Sequence, residues 1–169
     1  MQFSEEHPVF LTITILEWKR LLAPDKYKDI IVNSLAYFVK EERAFVYAFC
    51  IMENHIHLVW QATAGNSNKK NQASFTKYTA QQIKFDLLEN HPKVLDEFLV
   101  NKKDRKYQFW KRNPLAVELF TPKVLNQKIA YIHNNPVKAG LCKIPEEYKY
   151  SSAAFYFTSD NNFEFLTKP

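Results

Sequence analysis

Two histidines stand two residues apart in the stretch IMENHIHLVW, residues 51–60. The surrounding residues are apolar, so the stretch predicts a buried strand, in which residues i and i+2 point to the same face. His55 and His57 therefore share a face and lie about 7 Å apart along the strand, where they could bind one divalent cation together. Hydrogen bonding of both rings to neighbouring polar groups is the alternative, and this spacing alone leaves both interpretations open.

A second group of polar side chains lies in LNQKIAYIHNNPVKAGL, residues 125–141. On a helix, Lys128, Tyr131 and Asn135 fall at positions i, i+3 and i+7 and share one face. This face combines a tyrosine hydroxyl with an ammonium group and an amide oxygen, so Tyr131 shares it with two potentially functional polar groups. A packing role is the alternative for Tyr131 taken alone. A different face of the same helix carries the core stripe Leu125, Ile129 and Ile132.

The positive charge of the chain is concentrated in residues 101–112. The formal net charge is +5 over 169 residues, and this segment holds six cations against Asp104 alone, which equals the excess of the whole chain. Basic side chains interleaved with aromatic ones can hold phosphates and stack unpaired bases. A solvated loop leading into an aromatic strand is the alternative. The candidate nucleic-acid contacts are Lys102, Lys103, Arg105, Lys106, Trp110, Lys111 and Arg112, with Lys128 as a further phosphate contact.

Composition argues against several classes of function. Only 2 glycines are present, which excludes a glycine-rich phosphate loop and a dinucleotide fingerprint. Cys50 and Cys142 are far apart and support neither a structural zinc site nor a disulfide framework. There is no signal-peptide pattern and no apolar run of roughly 18–20 residues. We therefore expect one cytoplasmic domain over 1–169, with a core of about 9–156 and a loosely packed tail over 157–169.

Hydrophobic periodicity predicts the elements that position these residues. Predicted strands cover 9–16, 45–52, 55–61, 107–112 and 116–120. Predicted helices cover 25–42 with Asp25 as N-cap, 74–90 after a flexible loop over 63–74, and a last helix that begins at Thr121-Pro122 and breaks before Pro136. The buried side of the second helix is assigned to Phe75, Tyr78, Ile83, Phe85, Leu87 and Leu88. The order of the elements predicts an α+β fold with a ferredoxin-like antiparallel sheet and helices packed on it.

The segments MENHIHLVW, FWKR, YIHNNPVKAGL and YKYSSA together resemble the single-tyrosine HUH transposases, and among them the REP-associated tyrosine transposases. The resemblance covers about residues 10–156. It implies a ferredoxin-like nuclease domain that cuts and rejoins single-stranded DNA near a hairpin. It also implies that His55 and His57 bind Mg²⁺ or Mn²⁺ and that Tyr131 forms a 5′-phosphotyrosine link. Asn135 stands where the helix can supply a third, oxygen ligand.

The leading hypothesis is a metal-dependent transposase that acts on single-stranded or hairpin DNA, without a membrane partner. A domesticated hairpin-binding protein with little or no cleavage, and a hydrolase of small phosphoesters, are the rivals. The chain is expected to act as a monomer or homodimer, and the sequence leaves open whether Tyr131 meets the histidines within one chain. Glu53 is assigned to a turn and His133 to a structural or hairpin-contacting role. Ser151 and Ser152 are assigned either to phosphate contacts or to capping of the last helix.

Overall fold

A four-stranded antiparallel sheet lies at the centre of the computed structural model, which describes residues 1–158, 160 and 162–169. Its strands are β1 (Val9–Thr14), β2 (Ala44–Ile51), β3 (His55–Ala62) and β6 (Leu115–Glu118), and β4 (Leu99–Lys102) and β5 (Arg105–Tyr107) form a separate hairpin. The strand order in the sheet is β2-β3-β1-β6, so β3 lies between β1 and β2, two parallel strands joined by a helix. This is the split βαβ arrangement, and the predicted ferredoxin-like sheet is confirmed.

Helices cover both faces of the sheet. The helices are α1 (Asp25–Lys40), α2 (Asn68–Asn90), α3 (Pro92–Asp96), α4 (Pro122–Lys138) and α5 (Ala153–Phe157). Side chains alternate along β1, so Leu11 and Ile13 pack in the core with α1 and α2, whereas Phe10 packs with α4. The sheet therefore separates two layers of helices, with α4 on the face opposite to α1 and α2.

The helix α2 begins six residues earlier than the sequence pattern predicts. The flexible loop expected over 63–74 is wrong in its second half, because Ser67 caps the helix by accepting a hydrogen bond from the Lys70 N–H (3.4 Å). The buried amide of Asn71 donates to the Arg43 carbonyl at 2.8 Å. Ser67 and Asn71 use their polar side chains for hydrogen bonds within the fold, so the polar composition of this segment wrongly suggested a flexible loop.

The buried stripe of α2 also differs from the predicted one. Phe75, Thr79, Ile83 and Leu87 are buried at a spacing of four residues, a narrower stripe than the sequence assignment. The other assigned residues are about half exposed, since only one edge of α2 meets the sheet and α1. These are Tyr78, Phe85 and Leu88.

Two helix boundaries differ from expectation. Pro24 occupies the N-cap position of α1, and Asp25 is its first residue, where its carboxylate pairs with Lys28 at 3.3 Å. The break predicted before Pro136 is wrong, because α4 continues to Lys138. Pro136 is buried in the last turn, where the missing N–H removes one hydrogen bond and leaves the rest of the helix intact.

The C-terminal tail packs on the sheet, in contrast to the loose tail expected. Phe163 and Phe165 lie 4.9 and 5.9 Å from the Phe49 ring, centroid to centroid. Leu166 is buried and bridges to Val46 at the free edge of β2. The tail therefore covers an edge strand that would otherwise be open to pairing.

Candidate active site between the sheet and helix α4

The two histidines lie together on the face of β3 that meets α4. Their ring centroids are 4.7 Å apart. His57 is 4% exposed and stacks on Phe10 of β1 at 5.5 Å, whereas His55 is partly exposed at the end of the strand. The shared face predicted from the alternation of β3 is thus the face that α4 covers.

A hydrogen bond at Nδ1 orients each ring. His57 Nδ1 lies 3.0 Å from Thr12 Oγ1, on the neighbouring strand β1, and His55 Nδ1 lies 2.7 Å from Asn54 Oδ1. An amide oxygen only accepts, so His55 carries its proton on Nδ1 and keeps the lone pair of Nε2 free. The Thr12 hydroxyl can accept in the same way from His57. This second layer of contacts is the one that orients histidine ligands around metals.

Burial keeps both imidazoles neutral. It lowers the pKa of His57 to about 3, with smaller electrostatic contributions from the neighbouring His55 and Lys128. Burial also lowers the pKa of His55. The neutral ring is the form that binds metals, so both side chains are in the protonation state of ligands at neutral pH.

Tyr131 reaches this site from α4 within the same chain. Its ring centroid lies 5.4 Å from that of His57 and 6.0 Å from that of Phe10, in edge-on geometry. Helical periodicity buries Leu125, Ile129 and Ile132 against the sheet and turns Tyr131 to the rim, where it is 43% exposed. The histidine pair and the exposed Tyr131 side chain therefore meet at one edge of the interface.

Two ammonium groups lie close to the tyrosine ring. Lys128 Nζ lies 5.6 Å from the Tyr131 ring centroid and 4.8 Å from that of Phe10. Lys138 Nζ lies 5.5 Å from the Tyr131 ring centroid. Lys138 was missed in the sequence, because the predicted break at Pro136 removed the seven-residue spacing that links it to Tyr131.

The donor set is compatible with a divalent metal held by few protein ligands. Among the described residues, no three His, Cys, Asp or Glu side chains gather as a ligand cluster. Two neutral imidazole Nε2 atoms are available, and Asn135 lies partly buried one turn beyond Tyr131. Nitrogen ligands favour Mn²⁺ over Mg²⁺, while an amide oxygen suits both ions.

The other polar residues singled out in the sequence lie outside this site. The Glu53 carboxylate accepts from Arg20 Nε at 2.6 Å in the β2–β3 turn, in agreement with its predicted turn role. His133 is 2% exposed and bonds Ser152 Oγ at 2.8 Å, so it is structural and is not available to a hairpin. Ser151 and Ser152 are buried as well, which removes them as phosphate contacts.

The basic segment splits into an exposed and a buried part. Trp110 is buried and donates its indole N–H to Thr79 Oγ1 at 3.1 Å, so its predicted stacking on a base is replaced by a structural role. The Asp104 carboxylate pairs with Arg105 at 2.6 Å and Arg112 at 3.2 Å, which offsets part of the charge. The remaining cations are exposed, namely Lys102, Lys103, Lys106 and Lys111.

This segment borders a groove on the α2 side of the sheet. The groove measures about 770 Å³ and runs between α2 and residues 104–114. Lys111 donates its backbone N–H to the Thr14 carbonyl at 2.7 Å, and Thr14 pairs with His55 across the sheet. The backbone of the basic segment is therefore attached to the end of β1 that pairs with His55.

Comparisons with known proteins identify the fold first. The chain superposes on a solved REP-associated tyrosine transposase, a structure that contains a bound REP hairpin, with a TM-score of 0.68 at 13% identity. The superposition covers 100% of this chain and 89% of that chain. The predicted α+β fold, with helices packed on a ferredoxin-like antiparallel sheet, is thus confirmed as the fold of that solved structure.

The sequence comparison adds a relative of the same kind. Over 110 residues the chain is 30% identical to a protein of Haemophilus influenzae named "Putative REP-associated tyrosine transposase". The match covers 62% of this chain and spans 56% of the length of that relative. No family model matches the chain. The resemblance to REP-associated tyrosine transposases, first drawn from the sequence motifs, is therefore confirmed.

Within the described residues, the helices lack the length and apolarity that a membrane crossing requires.

Proposed function

We propose that this protein is a metal-dependent transposase that cleaves and rejoins single-stranded DNA near hairpins through a 5′-phosphotyrosine intermediate. The observation that carries the proposal is the contact between Tyr131 and His57, with ring centroids 5.4 Å apart in one chain. If the two histidines were only structural, an exposed tyrosine beside them would have no purpose. If Tyr131 only packed against the sheet, ammonium groups near its ring would have none either. The combination is what a nucleophile at a bound phosphate requires.

Cleavage in this scheme is a transesterification. The Tyr131 oxygen attacks the scissile phosphorus, the bond from phosphorus to the 3′ oxygen breaks, and the phenolic proton ends on the departing 3′ hydroxyl. The 5′ phosphate stays on Tyr131, so the energy of the phosphodiester is retained. A 3′ hydroxyl then attacks the phosphotyrosine and restores Tyr131, which explains why rejoining needs no nucleotide cofactor.

The residues around Tyr131 prepare this reaction. Lys128 and Lys138 lie close to the ring and place positive charge where the phenolate and the phosphate carry negative charge. Phe10 and His57 hold the ring edge-on, which restricts its rotation.

The histidine pair fits a bound Mg²⁺ or Mn²⁺, with His55, His57 and the Asn135 oxygen as the proposed ligands. When bound, such an ion neutralises the non-bridging oxygens of a phosphate and orients it for in-line attack. The Thr12 and Asn54 contacts engage the two Nδ1 atoms, so both Nε2 atoms remain available as ligands. Three protein ligands leave coordination positions open for DNA.

The exposed lysines of the basic segment are proposed to hold the hairpin backbone. Lys102, Lys103 and Lys106 project from the β4–β5 hairpin, and Lys111 follows beside the groove. The solved structure that shares this fold contains a REP hairpin, which supports a hairpin as the partner. Contacts to phosphates carry little sequence information, so target choice must come from other residues.

Covalent trapping tests the proposal. The protein is incubated with labelled single-stranded hairpin oligonucleotides and Mn²⁺ or Mg²⁺, and denaturing electrophoresis detects a protein–DNA adduct. We expect an adduct that disappears in Tyr131→Phe and after chelation. Hairpin binding without any adduct would favour the binding-protein alternative, and phosphoester hydrolysis that survives Tyr131→Phe would favour the hydrolase.

A further inference from the structure

An exposed tryptophan stands beside the histidine pair and takes no part in the chemistry described above. Trp18 ends a short 3₁₀ turn, Leu16–Trp18, that follows β1. Its side chain is 56% exposed, and its ring centroid lies 6.0 Å from that of His55 at an angle of 71°. Trp60 and Trp110 are both buried, so Trp18 is the tryptophan that solvent and ligands can reach.

The turn that carries Trp18 is tied to the same β2–β3 turn that presents His55. The Ile15 N–H donates to the Asn54 carbonyl at 2.8 Å, and Asn54 Nδ2 donates to the Trp18 carbonyl at 3.4 Å. Arg20, two residues later, binds the Glu53 carboxylate at 2.6 Å. The position of the indole is therefore coupled to the position of the metal-site histidine.

The backbone at this turn is strained. Glu17 and Trp18 both have positive φ angles, 56° and 58°, a region that residues with a side chain rarely adopt. Such conformations persist where the surrounding contacts hold them, and they concentrate at functional sites. Here the strained backbone presents a large aromatic ring that is 56% exposed to solvent.

We propose that Trp18 stacks on the unpaired base of a nucleotide that adjoins the scissile phosphate. The inference rests on the proposed function and deepens it by assigning a base subsite. If the phosphate of a nucleotide lies at His55 and His57, the base of that nucleotide is within reach of the Trp18 ring, which lies edge-on to His55. Stacking tolerates every base, because each has a π face, so this subsite fixes the strand position without selecting the sequence.

The subsite explains how a small site can hold a flexible single strand. A ring on an anchored backbone presents its surface with little loss of conformational entropy on binding. The phosphate would then be fixed from two directions, by the ligand pair on one side of the nucleotide and by the indole on the other. Trp18 is in this account a substrate-positioning residue and takes no part in bond making or breaking.

A scan with abasic nucleotides tests the proposal. Single-stranded hairpin oligonucleotides are prepared with one base removed at each successive position around the cleavage point, and binding and adduct formation are measured for wild type, Trp18→Ala and Trp18→Phe. The matched control is Tyr37→Ala, another aromatic residue about half exposed but located on α1, across the sheet. Thermal melting establishes that every variant is folded.

We expect one abasic position to weaken wild-type binding roughly 5- to 150-fold, the range that corresponds to stacking of one base on an aromatic ring. Trp18→Ala should bind the intact DNA more weakly by a similar factor and be insensitive to base removal at that same position. Trp18→Phe should recover part of the affinity, and Tyr37→Ala should behave as wild type. If base removal changed the binding of Trp18→Ala and wild type equally at every position, the proposed subsite would be overturned. The proposal of covalent cleavage would be unaffected.

Indole fluorescence separates failure of the subsite from failure of the proposed function. If wild type forms no adduct with any DNA, the proposed cleavage fails, and titration with short oligothymidylate still decides the subsite. Quenching of wild-type emission that is lost in Trp18→Ala supports stacking on a base. Absence of quenching in wild type refutes it.

Discussion

Acidification should weaken the anchor of the helix that carries Tyr131. His133, two residues along α4, is buried and bonds Ser152 Oγ at 2.8 Å, and Ser152 in turn accepts from the Phe49 N–H of β2 at 3.0 Å. Burial lowers the pKa of His133 to about 4. The neutral ring therefore links α4 to the C-terminal segment and, through it, to the sheet.

The sign of the pH effect follows from the direction of this shift. The folded-state pKa lies below the unfolded value of about 6.5, so the unfolded chain takes up a proton first as the pH falls. The stabilisation from neutral His133 is complete above about pH 6.5 and is lost between pH 6.5 and about pH 4. At pH 5 the loss from this one group amounts to roughly 2 kcal/mol, since one pKa unit corresponds to about 1.4 kcal/mol.

Urea denaturation of wild type and His133→Gln at pH 7 and pH 5 measures this contribution. The glutamine amide can bond Ser152 but does not titrate, so the variant should lose roughly 2 kcal/mol less stability than wild type on acidification. The comparison at pH 7 corrects for any packing cost of the substitution. The same loss in both proteins, within about 0.5 kcal/mol, would refute the assignment of the acid sensitivity to His133.

Three further outcomes follow from the site and the basic segment. Thr12→Val removes the hydroxyl that orients His57 and should weaken Mn²⁺ binding about 10- to 100-fold in titration calorimetry, whereas Thr12→Ser should bind Mn²⁺ as wild type does. Equal Mn²⁺ affinity in Thr12→Val and wild type would contradict the orienting role. Mixing Tyr131→Phe with His57→Ala should restore no DNA adduct, because the two groups meet in one chain; recovery of the adduct would point to exchange between subunits. Replacing Lys103 and Lys106 together by alanine should weaken hairpin binding and lower the slope of log K against log salt by about 2, whereas the double arginine variant should retain both; an unchanged slope would exclude these phosphate contacts.

Local periodicity was sufficient to predict the parts of the site that lie within one element. Strand alternation placed His55 and His57 on one face, and helical spacing placed Tyr131 with Lys128 beside the core stripe of α4. The split βαβ order of the elements was also predictable from the strand and helix patterns. In each case the signal lies within a few residues of the group concerned. The strand predicted over 107–112 is wrong, because β5 ends at Tyr107 and Trp110 makes an isolated bridge to Ile15.

Contacts between distant segments account for what the sequence missed. The Thr12 bond to His57 joins residues 45 positions apart and depends on the register of β1 against β3. The burial of Trp110 depends on Thr79, 31 positions away on α2. Local sequence patterns do not identify Thr12 as the partner of His57 or Thr79 as the partner of Trp110. A segment of basic and aromatic residues has the same sequence pattern whether its tryptophan faces DNA or the core.

Trp18 illustrates the same limit at a turn. The sequence at the end of β1 has no glycine, yet two residues there adopt positive φ and expose an indole next to His55. This conformation results from hydrogen bonds to Asn54, which is distant in the chain. Turn geometry imposed by tertiary contacts leaves no compositional signal.

Peptide mapping of the trapped adduct tests the central claim most directly. Hairpin DNA labelled on the 3′ side of the cleavage point is reacted with the protein, the adduct is digested with protease and nuclease, and the labelled peptide is sequenced by mass spectrometry. We predict a nucleotide linked through its 5′ phosphate to Tyr131, together with a free 3′ hydroxyl on the released strand. A label on another residue, or cleavage products with no covalent link to the protein, would contradict the account.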